Sequence, residues 1–362
     1  MAGIRERIHT LAIPTPFPVG PVNVYLIEGD PLTLVDTGPL TKAARDALVG
    51  SLSELGYTLS DIEQVIVTHS HRDHVGQLQR VVGASDAPVL SHHRNLHWLV
   101  DFEVEWVRRL GFYTMYLYQA GLPEEKVSAM RDLMSHGIHL GASIQEERLQ
   151  ALHDGDEIRA GGVEWQVFHM PGHASGHLVM YQPEAGLIIA GDLLLATISS
   201  NPVLESPARG NSTRPRSLVE YLKSLRRLAE LEASETLTGH GPPVADHRGL
   251  VNERIAMHGR RLDRIANFLV DGRRDPDPAP SVASSQSQRG THREVEWRTP
   301  YQVCQSLFPE LAEFEAFLGM SEAIAHLDVL EDEDRAVAEK RGGFFYYRAR
   351  SETGDRRLET GD

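Results

Sequence analysis

The sequence predicts an α/β protein in which two β-sheets pack face to face and helices cover both outer sides, an αββα sandwich. Two observations lead to this prediction. Apolar runs of strand character alternate with helical patterns along residues 1–250, in the order strands, helix, strand, helix, and then strands, helix, strand. The 362 residues are 41% hydrophobic and 24% charged, which is the balance of a globular protein with a large core.

The first half of this domain combines short apolar runs with turn residues and one clear helical pattern. Gly29-Asp30-Pro31 predicts a turn between two strands, and Gly56 predicts the end of a helix. The run Val65-Ile66-Val67 is β-branched and apolar, so it predicts a buried strand. The predicted elements are strands at 10–14, 22–27 and 32–35, a helix at 41–55, a strand at 65–67, a helix at 75–82 and a strand at 88–90.

The second half resumes after a segment of different character. The capping-box pattern Ser217-Leu218-Val219-Glu220 predicts the start of a helix. The predicted strands of this half lie at 157–159, 163–168, 178–181, 187–190 and 236–238.

Residues 93–147 interrupt the strand pattern and are helical by periodicity, so we expect a helical insertion there. The insertion is rich in aromatic residues, which either line a hydrophobic substrate pocket or pack the insertion onto the domain. These aromatic residues are Trp98, Phe102, Trp106, Phe112, Tyr113, Tyr116 and Tyr118.

Residues 251–350 predict a small C-terminal domain of helices followed by a β-hairpin, which is the pattern of a winged-helix-like module. Thr299-Pro300 predicts the start of one of its helices, and Gly342-Gly343 predicts the turn of the hairpin. The polar stretch at about 271–298 is expected to be a flexible linker, and residues 351–362 a disordered tail.

Four potential metal ligands follow the 65–67 strand within six residues: His69, His71, Asp73 and His74. Strand ends are the places where α/β proteins position their chemistry. His69 and His71 alternate, so an extended backbone directs both to one side. Asp73 and His74 follow after the chain has turned and can face a second point. The arrangement therefore favours two metal ions over one.

Three further candidate ligands, His173, Asp192 and His240, each follow a predicted strand and stand beside a glycine. The complete set holds five imidazoles and two carboxylates and no thiolate, which suits Zn²⁺ and also Mn²⁺ or Fe²⁺. A closed structural zinc site needs only four ligands. Divided over two ions, the set leaves an open position where a metal-bound hydroxide can attack a substrate.

The cluster His69-x-His71-x-Asp73-His74, followed in order by His173, Asp192 and His240, resembles the metallo-β-lactamase superfamily over about residues 8–245. The resemblance implies that superfamily's fold and a two-metal hydrolase. It implies that the first ion is bound by His69, His71 and His173, the second by Asp73, His74 and His240, and that Asp192 bridges them. Asp73 would also orient the nucleophile, so Asp73 and Asp192 are the candidate catalytic residues.

Two more residues are candidates for supporting these ligands without binding metal. Asp36, in Val35-Asp36-Thr37-Gly38, matches the early aspartate of the superfamily, which supports the loop under the site. His177 either supports a ligand or serves packing, and the sequence leaves both interpretations open. The C-terminal region resembles, more loosely, the winged-helix tail of one branch of the superfamily.

The composition restricts cofactors, compartment and partners. One cysteine, Cys304, excludes an internal disulfide and a cysteine-based zinc site. No long apolar segment indicates a signal peptide or a membrane span, so we expect a cytoplasmic protein without a membrane partner. The net charge is −15, from 36 basic and 51 acidic residues, which is unfavourable for binding nucleic acid.

Superfamily members cleave thioesters, other esters, lactones, β-lactams and phosphodiesters, so the resemblance implies hydrolysis without fixing the bond. We favour a thioester or acyl-ester small-molecule substrate, because the aromatic insertion could cover an acyl chain. The alternatives are a phosphodiesterase or endoribonuclease acting on single-stranded RNA, and a lactonase. Residues 321–334 hold six acids and no Lys or Arg, which repels phosphate. We expect that module to pack on the metal domain, lining a pocket or a homodimer contact.

Overall fold

The computed structural model describes residues 3–272, 296–311 and 315–350. The tail predicted at 351–362 and most of the linker predicted at about 271–298 lie outside these residues. Within them, six strands form the first sheet in chain order, antiparallel from the first to the third and parallel from there on. These strands are β1 (Ile8–Ile13), β2 (Val22–Ile27), β3 (Thr33–Val35), β4 (Gln64–Val67), β5 (Val89–His92) and β6 (Leu149–Leu152).

In the described chain, five strands form the second sheet in the spatial order β11-β10-β9-β8-β7, with β10 and β11 parallel and the other neighbours antiparallel. They are β7 (Glu157–Ala160), β8 (Val163–His169), β9 (Leu178–Gln182), β10 (Leu187–Gly191) and β11 (Glu235–Thr238). A two-stranded hairpin follows near the C-terminus, formed by β12 (Ala336–Arg341) and β13 (Phe344–Ala349).

Side-chain alternation along the strands produces the layers of the sandwich. Val35 and Ile66 of the first sheet share a buried core with Trp165 and Ile189 of the second, so these side chains fill the space between the sheets. Leu34, their neighbour in sequence, belongs to a different core on the outer side of the first sheet. A strand whose successive residues point to opposite faces can be buried on both only when helices cover its outer face.

The helices supply that cover and confirm the αββα arrangement. Within the described residues they are α1 (Lys42–Glu54), α2 (Arg72–Val75), α3 (Leu78–Ser85), α4 (Leu96–Val100), α5 (Phe102–Gln119), α6 (Glu124–Ser135), α7 (Ser217–Glu230), α8 (His247–Asp271), α9 (Pro300–Leu307) and α10 (Ala316–Asp332). α1 and α3 pack on the first sheet, and α7, α8 and α10 share one core with the second. α4, α5 and α6 lie between β5 and β6.

Three details differ from the expectations. The helix predicted at 75–82 is two helices, α2 and α3, and α2 begins directly after His71. β6 was not predicted, because only Leu152 of its four residues is buried and the alternation is weak. Ser217 does not cap α7: its hydroxyl donates to the carbonyl of Val203 at 2.7 Å, and the helix begins without a side-chain cap.

The C-terminal elements are α9, α10 and the hairpin of β12 and β13, and α10 holds them on the metal domain predicted at residues 1–250. Thr299 caps α9 as predicted, in a capping box with Gln302. α10 is buried along Gly319–Leu330, and Asp328 accepts two hydrogen bonds from the Arg214 guanidinium at 2.6 and 2.7 Å. A helix buried all round must have apolar neighbours on every side. α7, α8 and α9 supply them.

Candidate metal centre

The seven candidate ligands lie together at the ends of strands from both sheets. His69 and His71 follow β4, and Asp73 and His74 occupy the first turns of α2. Their partners from the second sheet follow β8, β10 and β11: His173, Asp192 and His240. The metal-binding atoms form three sets within which every pair lies within 4.8 Å: His69, His71 and His173; His69, His74 and Asp192; and Asp73, His74 and His240.

The first set brings three imidazole nitrogens to one point. Nδ1 of His71 lies 3.1 Å from Nε2 of His69 and 2.9 Å from Nε2 of His173. These nitrogens belong to the three residues that the resemblance assigned to the first ion. Three converging imidazole nitrogens are the ligand set of a metal site with an open position.

The second set is built around carboxylates. Nε2 of His240 lies 3.3 Å from Oδ2 of Asp73. Asp192 lies between the sets, because its Oδ2 is 3.6 Å from Nε2 of His173 and 3.6 Å from Nε2 of His240. Its Oδ1 is 3.5 Å from Nε2 of His74. A carboxylate with both oxygens facing two neighbouring sites has the position of a bridging ligand.

Hydrogen bonds on the outer side of the rings fix which nitrogen faces the centre. In four of the five imidazoles Nδ1 donates outward, which turns Nε2 toward the other ligands. The Thr68 hydroxyl donates to Asp36 at 2.7 Å and is therefore free to accept from His69. The outward acceptors are Oγ1 of Thr68 for His69 at 3.0 Å, Oδ2 of Asp36 for His74 at 2.7 Å, the Asn201 carbonyl for His173 at 3.1 Å and the Pro21 carbonyl for His240 at 2.8 Å.

The inward-facing atoms fit a metal ion. Nε2 of His74, Nε2 of His240 and Oδ1 of Asp192 are buried and have no hydrogen-bond partner among the described residues. A buried polar atom without a partner costs about 1–3 kcal/mol. Three such atoms at one point are expected when divalent cations complete the site.

The electrostatics differ between the two sets. Burial lowers the pKa of His69 and His71 well below the usual range, and the neighbouring imidazoles lower it further. Burial also opposes a charge on His74, but the carboxylates of Asp192 and Asp36 outweigh it and raise the pKa of His74 well above its usual value. The environment of the first set therefore favours neutral imidazoles, whereas in the second set a cation and a proton compete for His74.

Asp36 and His177 contact the ligands without reaching the centre. Asp36 has a left-handed backbone (φ 61°) and accepts from the Thr68 amide at 2.8 Å as well as from His74. Nε2 of His177 accepts from the Asp192 amide at 3.1 Å, and its ring is stacked on His69 with 5.0 Å between centroids. His177 is fully buried, so it packs on one candidate ligand and accepts a hydrogen bond from the backbone of another, and its supporting role stays a prediction.

Most aromatic residues of the insertion pack inside the protein. Trp98, Phe102 and Trp106 form a buried cluster of their own. Tyr113 and Tyr116 contact aromatic residues of the C-terminal elements, with centroid distances of 4.8 and 4.9 Å. Of the two interpretations of the aromatic residues, packing of the insertion onto the rest of the protein therefore applies to these five. No sequence pattern indicated the arginines on two of these rings: Arg72 lies 4.5 Å from the Trp106 centroid and Arg109 lies 3.8 Å from that of Trp98.

Two cavities lie beside the C-terminal elements. The larger, of about 460 Å³, is mostly apolar and lies between α6, α9 and α10, where Met130, Cys304 and Met320 line it. The smaller, of about 360 Å³, includes Ser200 and Asn201, which hold Nδ1 of His173. Both cavities are lined by Phe308 and Leu311, so they adjoin each other.

Residues 17–240, which hold all seven candidate ligands, match the family model of the metallo-beta-lactamase superfamily. The chain belongs to this superfamily. It is 37% identical over 346 residues to the probable metallo-hydrolase YqjP of Bacillus subtilis, a match that covers 95% of this chain and 98% of that protein. The similarity to YqjP therefore continues through the C-terminal elements.

Solved structures of the superfamily have the same architecture. The metallo-beta-lactamase family protein TTHA1429 from Thermus thermophilus superposes with a TM-score of 0.73 at 29% identity, covering 95% of this chain and 99% of that one. A beta-lactamase domain protein from Burkholderia ambifaria superposes with a TM-score of 0.77 at 20% identity, covering 95% and 92%. The metallo-β-lactamase fold is thus confirmed, and family and site together support a metal-dependent hydrolase.

No helix among the described residues combines the length and apolar character needed to cross a bilayer.

Proposed function

We propose that this protein is a two-metal hydrolase that cleaves small acyl thioesters or acyl esters. The observation that carries the proposal is the pair of adjoining cavities beside His173. The smaller one begins at Ser200 and Asn201, and the larger one continues between α6 and α9 with a mainly apolar lining. Neither cavity is lined by one of the seven candidate ligands, so in this proposal an acyl group whose carbonyl lies at the centre passes beside His173 to reach them. Burial of each CH₂ there contributes about 0.8 kcal/mol.

In this proposal, one divalent cation would be held by His69, His71 and His173. The other would be held by Asp73, His74 and His240, and Asp192 would be available to both. Two such ions would supply a hydroxide nucleophile and polarise the carbonyl under attack. Asp73 would hold the nucleophile in line with that carbonyl. Imidazole and carboxylate ligands without thiolate favour Zn²⁺, with Mn²⁺ or Fe²⁺ as the alternatives.

The buried position of α10 supports a small-molecule substrate over RNA. A winged-helix-like module that binds nucleic acid needs an exposed basic helix. Here Gly319–Leu330 is buried, and the acids of α10 pair with arginines of the rest of the chain. These pairs are Arg214 with Asp328, Arg216 with Glu331, and Arg261 with Glu322. The C-terminal elements therefore serve as the wall of the acyl cavity in our proposal.

The proposal includes a cytoplasmic location without a membrane or nucleic-acid partner, because Cys304 is unpaired and the net charge is −15. A homodimer contact through the C-terminal elements stays a prediction.

A substrate panel combined with metal analysis tests the proposal. The purified protein is assayed with acyl thioesters from two to twelve carbons, the matching esters, a lactone and single-stranded RNA. We expect two metal ions per chain and a kcat/KM for thioesters or esters that rises with chain length until the cavities are filled. Turnover of RNA without turnover of any thioester or ester would overturn the proposal.

A cavity-filling variant makes the chain-length test specific. Ala129 lines the larger cavity, so Ala129→Trp is expected to shift the preference to shorter acyl chains. Ala43→Trp on the exposed face of α1 is the matched control and should leave the chain-length profile unchanged. A profile that is the same in both variants would show that acyl chains do not enter this cavity.

A further inference from the structure

Arg72 is a positively charged residue within the ligand cluster of the sequence. It stands between His71 and Asp73 in the ligand cluster. Among the described residues, no hydrogen bond and no ion pair involves its guanidinium, whereas Arg214 and Arg261 are each paired with a carboxylate. Its neighbours are rings: the guanidinium carbon lies 4.5 Å from the Trp106 centroid and 5.2 Å from the Phe17 centroid.

Packing holds this guanidinium in place. A Cβ atom on Gly137 would overlap both Nη1 of Arg72 and Cζ2 of Trp106, so the backbone of Gly137 closes the space beside both groups. A guanidinium stacked on aromatic faces keeps its N–H donors at its edge, where they are free for an acceptor. Arg72 is thus a positioned cation with unused donors.

The carboxylate of Asp73 is close enough to act on the charge of Arg72, but the described contacts include no ion pair or hydrogen bond between the two side chains. Asp73 faces His240 across 3.3 Å and belongs to the proposed second metal site. A second arginine, Arg109, is stacked on Trp98 at 3.8 Å and has Glu205 at 3.9 Å as its own partner. The chain has a net charge of −15, and within its described part the Arg72 guanidinium has no carboxylate partner, so it can accommodate an anion from outside the protein.

We propose that Arg72 binds an anionic group of the substrate, so that the substrate class is an acyl thioester or ester carrying a carboxylate, phosphate or sulfonate near the scissile bond. This inference rests on the proposed function and narrows it. The planar fork of an arginine binds such groups with two parallel hydrogen bonds. Arg72 follows directly after His71, so an anion on Arg72 would fix the reacting carbonyl relative to the ions. Arg72 is therefore a positioning and specificity residue.

Matched substrate pairs test the inference. In the first pair, one substrate has a carboxylate on its acyl side and the other has the carboxamide isostere there. In the second pair, one substrate has a sulfonate on its thiol side and the other has the sulfonamide. We expect the intact protein to prefer one of the anions over its neutral isostere by about 100-fold in kcat/KM, the size of a charge-paired contact. The preferred pair identifies the side of the scissile bond on which the anion lies.

Three variants separate positioning from a structural role. Arg72→Gln is expected to lose about 100-fold in kcat/KM on the anionic substrate and less than about 3-fold on the isostere, with two metals per chain retained. Arg72→Lys should recover part of the preference, because it keeps the charge and loses the fork. Gly137→Ala should weaken the preference by displacing the guanidinium. Arg341→Gln, which removes an arginine stacked on Trp297 at 4.2 Å, is the control. It should change neither the kcat/KM on the anionic substrate nor that on the isostere.

Binding of nonhydrolysable thioether analogues of the same pairs, measured by calorimetry, keeps this result separate from the proposed function. Hydrolysis of charged and neutral substrates at equal rates, or an equal loss on both in Arg72→Gln, would overturn the role of Arg72 while leaving the hydrolase proposal intact. Tighter binding of the anionic thioether without turnover of any thioester or ester would support Arg72 and overturn the proposed reaction. Equal binding of both analogues would overturn the role of Arg72.

Discussion

Oδ2 of Asp36 lies 2.7 Å from Nδ1 of His74 and accepts a hydrogen bond from it, so a residue outside the candidate ligand set decides which nitrogen of His74 faces the metal centre. The same oxygen accepts from the Thr68 hydroxyl, and that hydroxyl is in reach of Nδ1 of His69. One carboxylate thereby sets the orientation of a ligand in each of the two sets.

Asp36→Asn is expected to weaken metal binding by about 10- to 100-fold, the range seen when a partner of a metal-bound histidine is changed. Asparagine tolerates the left-handed backbone of residue 36, so the loss reflects the hydrogen bonds and not strain. Competition with a chelator measures the affinity. Asp86→Asn, at an exposed left-handed position, is the control. Unchanged affinity in Asp36→Asn would contradict the supporting role.

Asp192→Ala is expected to bind fewer than two ions per chain and to lose more than about 100-fold in kcat, because a bridging ligand contributes more than the residues that support it. Elemental analysis and steady-state kinetics measure both. Asp132→Ala, an exposed carboxylate on α6, should retain metals and rate. Two bound ions together with full activity in Asp192→Ala would rule out the bridging position.

Arg214→Met is expected to lower the free energy of unfolding by about 3 kcal/mol, because it leaves the buried carboxylate of Asp328 unpaired. The comparison is Arg335→Met, which breaks the exposed pair with Asp263 and should cost less than about 1 kcal/mol. Urea denaturation of both variants gives the difference. Equal costs would show that α10 is not fixed through Arg214.

The interface of α8 and α10 makes stability depend on pH. Burial, with the charges of Arg261 and Arg254, lowers the pKa of His258 from 6.5 to about 4. As the pH falls, the unfolded chain binds a proton at His258 at a higher pH than the folded chain does. The free energy of unfolding therefore has its full value above pH ~6.5 and falls by up to about 3 kcal/mol as the pH drops toward 4. In His258→Gln, the free energy of unfolding, measured by urea denaturation between pH 7 and pH 5, should fall less steeply with decreasing pH. His153→Gln, at an exposed histidine, should leave the pH dependence of the free energy of unfolding unchanged.

The strands and the candidate ligands could be predicted from the sequence for one reason. A buried strand must be apolar, so polar residues such as His69 and Asp192 mark its end, and the ends of neighbouring strands meet. The order of elements then places β4 and β10 in opposite sheets with their ends at one site. The backbone around Asp36 and its bond to His74 depend on contacts between residues 38 positions apart, which only the fold reveals.

Other features could not be predicted because the sequence pattern is the same for different outcomes. Trp98 and Trp106 have the spacing of a pocket lining and also of a packed helix, and the partner of each ring, an arginine, lies elsewhere in the chain. In the sequence, Arg72 is one charged residue within a ligand cluster. That its guanidinium contacts two aromatic rings, and forms no ion pair with a residue the structure describes, is a property of the folded surroundings.

The burial of α10 has a consequence for how this enzyme can be altered or recombined. The helix is enclosed by α7, α8 and α9, and of these α7 and α8 present to it an apolar surface that is matched to this one helix. Grafting the C-terminal elements of another superfamily member, or removing them to obtain a minimal catalyst, would expose that surface to water. The catalytic and C-terminal regions therefore have to vary together, as a single inherited unit.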